Sequence, residues 1–440
     1  MRKASLILLG AATGMALTIA ATQTYVALGE TDARAAPPTT SYRLLDVFGD
    51  AYEQVRKHYV EKPNDKDLMG TAINGMLASL EDSYYVDAKT LKASQPCTDH
   101  CAVGDIGIAF TVVDGFAKII SSLDDSPAAK AGIQAGDIIT DLGGQSAQGL
   151  TYYQVAGKLR GQNGTTLKMT IVRPGRQKSI DLSIVRAHLA TPAVSARVEG
   201  DDIGYIRVSQ INDQTAEQIK KAIADIAAQV GPDKLKGYVI DLRNDPGGRL
   251  EDAVSVADGF LESGEIVGVR GRTAEDTKHI QAKPGDIAKG KPLIVLINAG
   301  SAAAAEVVAG ALQDDRRATL VGTRSFGQGT VGTLIPLGAD NGAVHLTTGH
   351  YVTPAGHLIE RKGISPDVEA QQDLPDNLKP QTKIEPKDKD KLLQSYIPAD
   401  PKADKALTVA YGLLRNPKSE PSKSEPPKAD KPTPPAKTPN

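Results

Sequence analysis

The apolar positions along the chain change their period several times, and each change marks a new kind of element. From Tyr42 to Tyr59, the residues Leu44, Leu45, Val47, Phe48, Tyr52, Val55 and Tyr59 recur near helical spacing. Pro63 and Asn64 break that pattern, and a second helical run follows from Asp65 to Leu80. Between Val103 and Arg186 the runs are short and β-rich: GIAFTVV, AKIISSL, DIITDLGG, LKMTIVR and SIDLSIVR. Two short helical pieces, SPAAKAGI and TYYQVAGKLRG, lie among them. From about Thr191, strands alternate with helices. IGYIRVS reads as a strand, GYVIDLR and PLIVLIN as buried strands, and ATLVGT and VHLTTGHYVT as further ones. TAEQIKKAIADIAAQV is an amphipathic helix with Ile219, Ala222, Ile223 and Ile226 on one face. LEDAVSVADGFL and AAEVVAGALQD are the next two helices. This alternation predicts an α/β core with a parallel-rich sheet.

The two ends differ from this body. Arg2 and Lys3 precede an uncharged stretch from Leu6 to Ala21, and Ala33-Arg34-Ala35 offers a small-x-small cleavage site. Residues 1–35 therefore read as an export signal. The stretch is also close to the length that spans a bilayer, so retention as a membrane anchor is the alternative. The expected compartment is the periplasm or another exported location. Leu407–Leu414 has room for one last helix. Pro417–Asn440 holds eight prolines, five lysines and three acids with no large apolar residue, and is expected to be disordered. The expected segments are thus 1–35 signal, 36–102 helical, 103–188 β-rich, 189–370 α/β core, 371–416 extension and 417–440 tail.

Charge and composition narrow the function. A net charge of −2, with no Trp and five Phe, argues against a nucleic-acid partner. The only cysteines, Cys97 and Cys101, lie close together in PCTDHC, which favours a local disulfide in an exported protein. A metal held with His100 is the weaker alternative, because no fourth ligand is at hand. No metal site and no cofactor are expected.

The phrase SPAAKAGIQAGDIITDLGG (Ser126–Gly144) resembles a PDZ domain of the bacterial protease type. PDZ domains bind a peptide as an added strand and hold its terminal carboxylate in a backbone nest. The resemblance points to GDIGIAF (Gly104–Phe110), and so to Gly104, Ile106, Gly107 and Ile108, as the peptide-binding positions. The alternative is a plain edge strand with turn glycines.

The core carries, in order, DLRNDPGGRL (Asp241–Leu250), SAAAAEVVAGALQD (Ser301–Asp314), GTRSFGQGTVG (Gly322–Gly332) and YVTPAGHLIERKGISPD (Tyr351–Asp367). Together with the helical arm and the PDZ phrase, this resembles the carboxy-terminal processing peptidases, or tail-specific proteases, over about three quarters of the chain. The resemblance implies a serine peptidase with a Ser-Lys pair assisted by Gln. The serine is the middle one of a Ser-Ala-Ser-Ala-Ser-Glu run. The lysine and glutamine lie in a Phe-Gly-Lys-Gly-Thr-Val-Gln run. A serine hydroxyl needs a base, and a lysine can serve only if burial lowers its pKa. These positions here are Ala303, Gln328 and Gly332, with the family spacing kept. Ala303 offers no nucleophile, Gln328 is no base, and Gly332 has no side chain. Ala305 also departs from a family serine, and LEDSYY (Leu80–Tyr85) departs from the usual Leu-Asp-Pro-His-Ser.

What the resemblance leaves is a set of backbone donors for an oxyanion: Gly247 or Gly248, and Ala304. Ser301 reads as a helix cap. Ser325 and Thr330 have no local base, since Arg324 stays protonated, and His345, His350 and His357 read as strand or turn residues. Three functions are compatible with this. The first is an exported pseudoprotease that binds protein or peptide C-termini and regulates an active relative or an envelope protein. The second is an active serine peptidase with substitute residues. The third is an envelope assembly or scaffold protein. The resemblance also implies a homodimer through the helical arm.

Overall fold

The computed structural model describes residues 40–93, 103–189, 191–338, 340–376, 378–381 and 394–416. The expected signal at 1–35, the pair Cys97 and Cys101, and the tail 417–440 lie outside them. The chain divides into two compact units, residues 1–69 and 70–440. Among the described residues no helix is long and apolar enough to cross a membrane.

The first unit holds helix α1 (Thr40–His58) and the start of α2 (Asp65–Leu77). Asn64 makes the break between them, because its Oδ1 accepts the backbone N–H of Lys66 at 3.0 Å. Leu44, Leu45, Val47 and Phe48 on α1 are all exposed.

The second unit begins with β1 (Tyr84–Val86) and α3 (Ala88–Ala93). The β-rich segment then forms β2 (Val103–Gly104), β3 (Ile108–Val113), β4 (Phe116–Ser122), α4 (Pro127–Lys130), β5 (Ile138–Leu142), α5 (Tyr152–Leu159), β6 (Gly161–Gln162), β7 (Thr166–Val172) and β8 (Ile180–Val185). Its antiparallel sheet runs β3-β4-β5-β7-β8, with β2 and β6 paired separately. Ser126 caps α4, accepting from the Ala129 N–H at 3.1 Å, and Thr151 with Gln154 forms a capping box for α5. Ile106, Ile119, Ile139, Val155, Met169 and Ile171 fill the core beneath.

The remaining chain supplies β9 (Val194–Glu199), β10 (Ile203–Val208), α6 (Thr215–Val230), β11 (Gly237–Asp241), α7 (Leu250–Asp258), β12 (Glu265–Arg270), β13 (Lys278–Gln281) and β14 (Leu293–Ile297). After these come α8 (Ala304–Asp314), β15 (Thr319–Gly322), β16 (Thr330–Pro336), β17 (Ala343–Val352), β18 (Val368–Glu369) and α9 (Lys405–Arg415). The central sheet has the order β18-β15-β14-β11-β10-β9, parallel except for β9. Every residue of β10, β11 and β14 is buried, the charged Arg207 and Asp241 included. On one face α6, α7 and α8 bury Ile219, Ile223, Val256, Val308 and Leu312. The other face is closed by α9, whose Ala406, Leu407, Ala410 and Leu414 pack on Val239, Ile294 and Leu296. The core therefore does not end at 370. A helix read as a C-terminal extension supplies half of the sheet's cover. A second, antiparallel sheet joins β1, β17, β12 and β13, with β16 on β17.

A buried ionic network ties these layers together. Arg243 donates to Asp241 through Nε at 2.9 Å and Nη2 at 2.7 Å, and its Nη1 lies 2.8 Å from Asp404 at the start of α9. Tyr205 Oη donates to Asp241 at 2.8 Å. Arg207 donates to the Asp241 carbonyl at 2.9 Å and reaches Asp124, in the β-rich module, at 2.7 and 3.0 Å. Burial alone would raise the Asp241 pKa, yet the charges of Arg243 and Arg207 and the hydrogen bonds hold it at about 2. Arg243→Ala leaves Asp241 and Asp404 buried without their guanidinium. It is expected to cost about 3–5 kcal/mol in urea unfolding, and a loss under about 1 kcal/mol would contradict this account.

Candidate active site

The site lies where β14 leaves the sheet and turns into α8. Asn298 organises the turn: its Oδ1 accepts the N–H groups of Asn244 and Gly300, both at 2.9 Å, and its Nδ2 donates to Asn244 Oδ1 at 2.9 Å. Ser301 Oγ accepts from Asn298 N at 3.0 Å and donates to the Leu242 carbonyl at 2.8 Å. The turn thus sits directly on the loop after β11. At its apex Ala303 has φ 46° and ψ −112°. That backbone region favours glycine, and an alanine held there stores strain. The elbow is therefore built although its side chain is only a methyl.

Two amides at this elbow have no acceptor among the described residues: those of Ala304 and Gly248. The Ala304 amide belongs to the first helical residue of α8, whose N-terminal N–H groups have no intrahelical partner. Gly247 packs against it. A Cβ at Gly247 would stand 2.6 Å from Ala304 N and 3.0 Å from Ala303 Cβ, so only glycine fits, and its φ is 90°. Of the two glycines expected as donors, Gly247 is not available: its N–H is committed to Asp245 Oδ1 at 2.8 Å. Gly248 and Ala304 are the pair left open.

Glu306 holds the elbow to the loop that carries Gln328. This wholly buried carboxylate accepts the N–H groups of Ala303 (3.0 Å), Gly327 (2.7 Å) and Gln328 (2.8 Å), and the hydroxyl of Ser325. Ala303 and Gln328 share one oxygen of it, so the structure brings these two positions together. Burial raises the Glu306 pKa to about 7 against the pull of those donors. Gly332 lies further along, on β16, beside His345 of β17.

Several groups at the site escape sequence reasoning. Asp245 is fully buried, with Oδ2 unpartnered among the described residues, and burial raises its pKa to about 7. Glu360 accepts from Gly329 N at 2.7 Å and is likewise raised to about 7 by burial. Lys118, on β4, lies 5.0 Å from the Phe326 ring centroid, and its pKa is lowered by burial. Asp82 accepts from Thr111 at 3.2 Å and Thr330 at 3.3 Å. Only Glu306 left a signal: it is an acid three residues after the elbow in an otherwise apolar run, the pattern of a capping box.

The proposed peptide positions fare differently. Ile106 is buried in the module core. Gly104 is buried against Arg186, and the Gly107 N–H is taken by Asp105 Oδ1 at 3.0 Å. These three serve the module's own fold. Ile108 alone begins β3, the edge strand of its sheet.

Residues 202–370 match the model of peptidase family S41, residues 119–173 that of the PDZ domain, and residues 7–90 that of the activating protease CtpB N-terminal domain. The chain is 46% identical to a carboxy-terminal-processing protease of Bartonella bacilliformis, covering 85% of this chain and 89% of that one. It is 32% identical to the carboxy-terminal processing protease CtpA of Bacillus subtilis, over 85% and 78%. Its fold is similar to that of the photosystem II D1 C-terminal processing protease, with TM-score 0.64, 27% identity and coverage of 74% and 92%.

Two outcomes follow from the site. Ala303→Gly relieves the elbow strain and is expected to raise stability by about 1 kcal/mol in denaturant unfolding. Asp245, raised in the fold, favours folding fully below its unfolded value near 3.8, and that contribution is lost as pH rises toward 7. Asp245→Asn is therefore expected to fall less in stability between pH 4 and pH 8 than the parent. Parallel stability–pH curves for the two would rule this out.

Proposed function

The chain belongs to the carboxy-terminal processing protease family, and we propose that it is a member that holds protein C-termini without cutting them. The observation that carries the reading is the elbow at Ala303, kept in its strained conformation with no nucleophilic atom and with the Ala304 and Gly248 amides open beside it. The Ala304 N–H at the start of an eleven-residue helix, with the Gly248 N–H of the loop after β11, suits a carboxylate or a peptide carbonyl. Asp245, neutral below about pH 7, adds no opposing charge there. The open edge of β3 supports strand addition by the same client. The reading includes export through residues 1–35. The exposed apolar residues of α1 support pairing of two copies.

Catalysis by substitute residues has less behind it. The Ser301 hydroxyl is spent on Asn298 and Leu242, and that of Ser325 on Glu306 and Ile364. Both side chains are buried. His345 Nδ1 pairs with the Asp82 carbonyl at 3.0 Å rather than with a hydroxyl.

The test uses fluorescent peptides that end in apolar residues, with either a free carboxylate or an amide. The free form is expected to bind about tenfold more tightly, the scale of a charge-assisted hydrogen bond. Equal affinities sink carboxylate capture. The chain from Ala36 onward is expected to leave unfolded casein intact. Cutting that Ser301→Ala or Ser325→Ala abolishes would establish the opposite reading.

A further inference from the structure

We propose that Gly332 and His345 are coupled: the imidazole of His345 fills the volume that a side chain at 332 would need, so no side chain can be placed at 332 while His345 stays. A Cβ built on Gly332 would lie 2.1 Å from His345 Nε2 and 2.3 Å from Cε1, far inside van der Waals contact. Gly332 stands at a register shift between Val331 and Gly332, but a bulge does not by itself exclude a side chain. It lies in β16, its φ is outside the left-handed region, and it is exposed. In such a strand a side chain ordinarily stabilises, because glycine loses more backbone entropy on folding. The imidazole is the obstacle.

The ring is also not free to swing aside. Its Nδ1 pairs with the Asp82 carbonyl at 3.0 Å, and its face stacks on Tyr84 at 4.6 Å between centroids. Tyr84 stacks in turn on Tyr152 at 5.8 Å, and Tyr152 on Phe110 at 4.7 Å. Four rings thus run from the edge strand β3 to position 332. Moving the imidazole breaks the last contact of that stack and leaves the Asp82 carbonyl without its partner. The stack uses Tyr84, inside the LEDSYY stretch that departs from the family phrase. Tyr84, Gly332 and His345 therefore belong to one packing solution.

This deepens the reading of a lost catalytic site, since the family pattern carries glutamine at 332. It implies that Ala303→Ser, Gln328→Lys and Gly332→Gln together do not restore a working site while His345 remains.

The first measurement does not involve activity. Thermal unfolding of the full chain is compared for Gly332→Ala, His345→Ala, the double variant, and the control Gly412→Ala. Gly412 lies in α9 with nothing within 4 Å of its built Cβ. Gly412→Ala is expected to raise the midpoint and Gly332→Ala to lower it. In the His345→Ala chain, Gly332→Ala is expected to change sign and raise it. If Gly332→Ala stabilises the parent as the control does, the coupling is refuted. That comparison stands even if His345→Ala fails to fold. The second measurement adds His345→Ala to the three restoring substitutions and follows casein cleavage. Cutting is expected to be at least tenfold faster with the fourth change. Equal rates, where both chains cut, overturn the proposal. If neither chain cuts while the sign reversal holds, the coupling stands, and the view that 303, 328 and 332 alone account for the lost chemistry falls.

Discussion

One buried carboxylate gives the site its shape. Glu306 gathers three backbone N–H groups and a hydroxyl from two separate segments, the elbow at Ala303 and the loop at Ser325–Gln328. A group this deeply buried is tolerable only because its oxygens are saturated with donors. The elbow strain at Ala303 persists for the same reason: its N–H is held by the carboxylate three residues ahead. The platform therefore does not rest on the side chains at 303 and 328. What shapes it is backbone, Glu306 and the buried hydroxyls of Ser301 and Ser325.

The second constraint acts at longer range. The Asp241, Arg243, Arg207 and Asp404 network sits at the carboxyl ends of the parallel strands, beneath the loop that presents Gly247 and Gly248. Through Asp124 it reaches the PDZ module, and through Asp404 the cap of α9. Segments far apart in sequence thus meet at one buried charge cluster. Ser395 adds a neutral link of the same kind, accepting from Ala135 N at 2.8 Å while its carbonyl accepts from Asn298 Nδ2 at 3.3 Å. The orientation of the module on the core is held by polar contacts that no local pattern announces.

The elements themselves were legible because their causes are local. The apolar run of PLIVLIN, the 3.6-residue spacing of Ile219, Ile223 and Ile226, and the cap at Ser126 are each contained in a few consecutive residues. The positions Ala303, Gln328 and Gly332 were legible for another reason: a motif with fixed spacing needs no geometry to be read. At the expected peptide positions the local pattern serves two ends. Ile106 and Gly104 sit in a glycine-rich phrase suited to a binding loop, and the same phrase is suited to the turn that buries Ile106.

The sequence alone determined which strands and helices form, their order, the family resemblance, and the residue types that stand at 303, 328 and 332. All of these follow from residue type and short-range spacing. Only the tertiary structure decided which amides remain open, that Gly247 is spent on Asp245, and that α9 closes the sheet. It also decided that the ring of His345 stands where a side chain at 332 would go. Those facts depend on pairs such as Gly332 with His345 or Arg243 with Asp404. Whether two such groups share one volume or one hydrogen bond is set by how the folded layers stack, a relation that sequence separation does not encode.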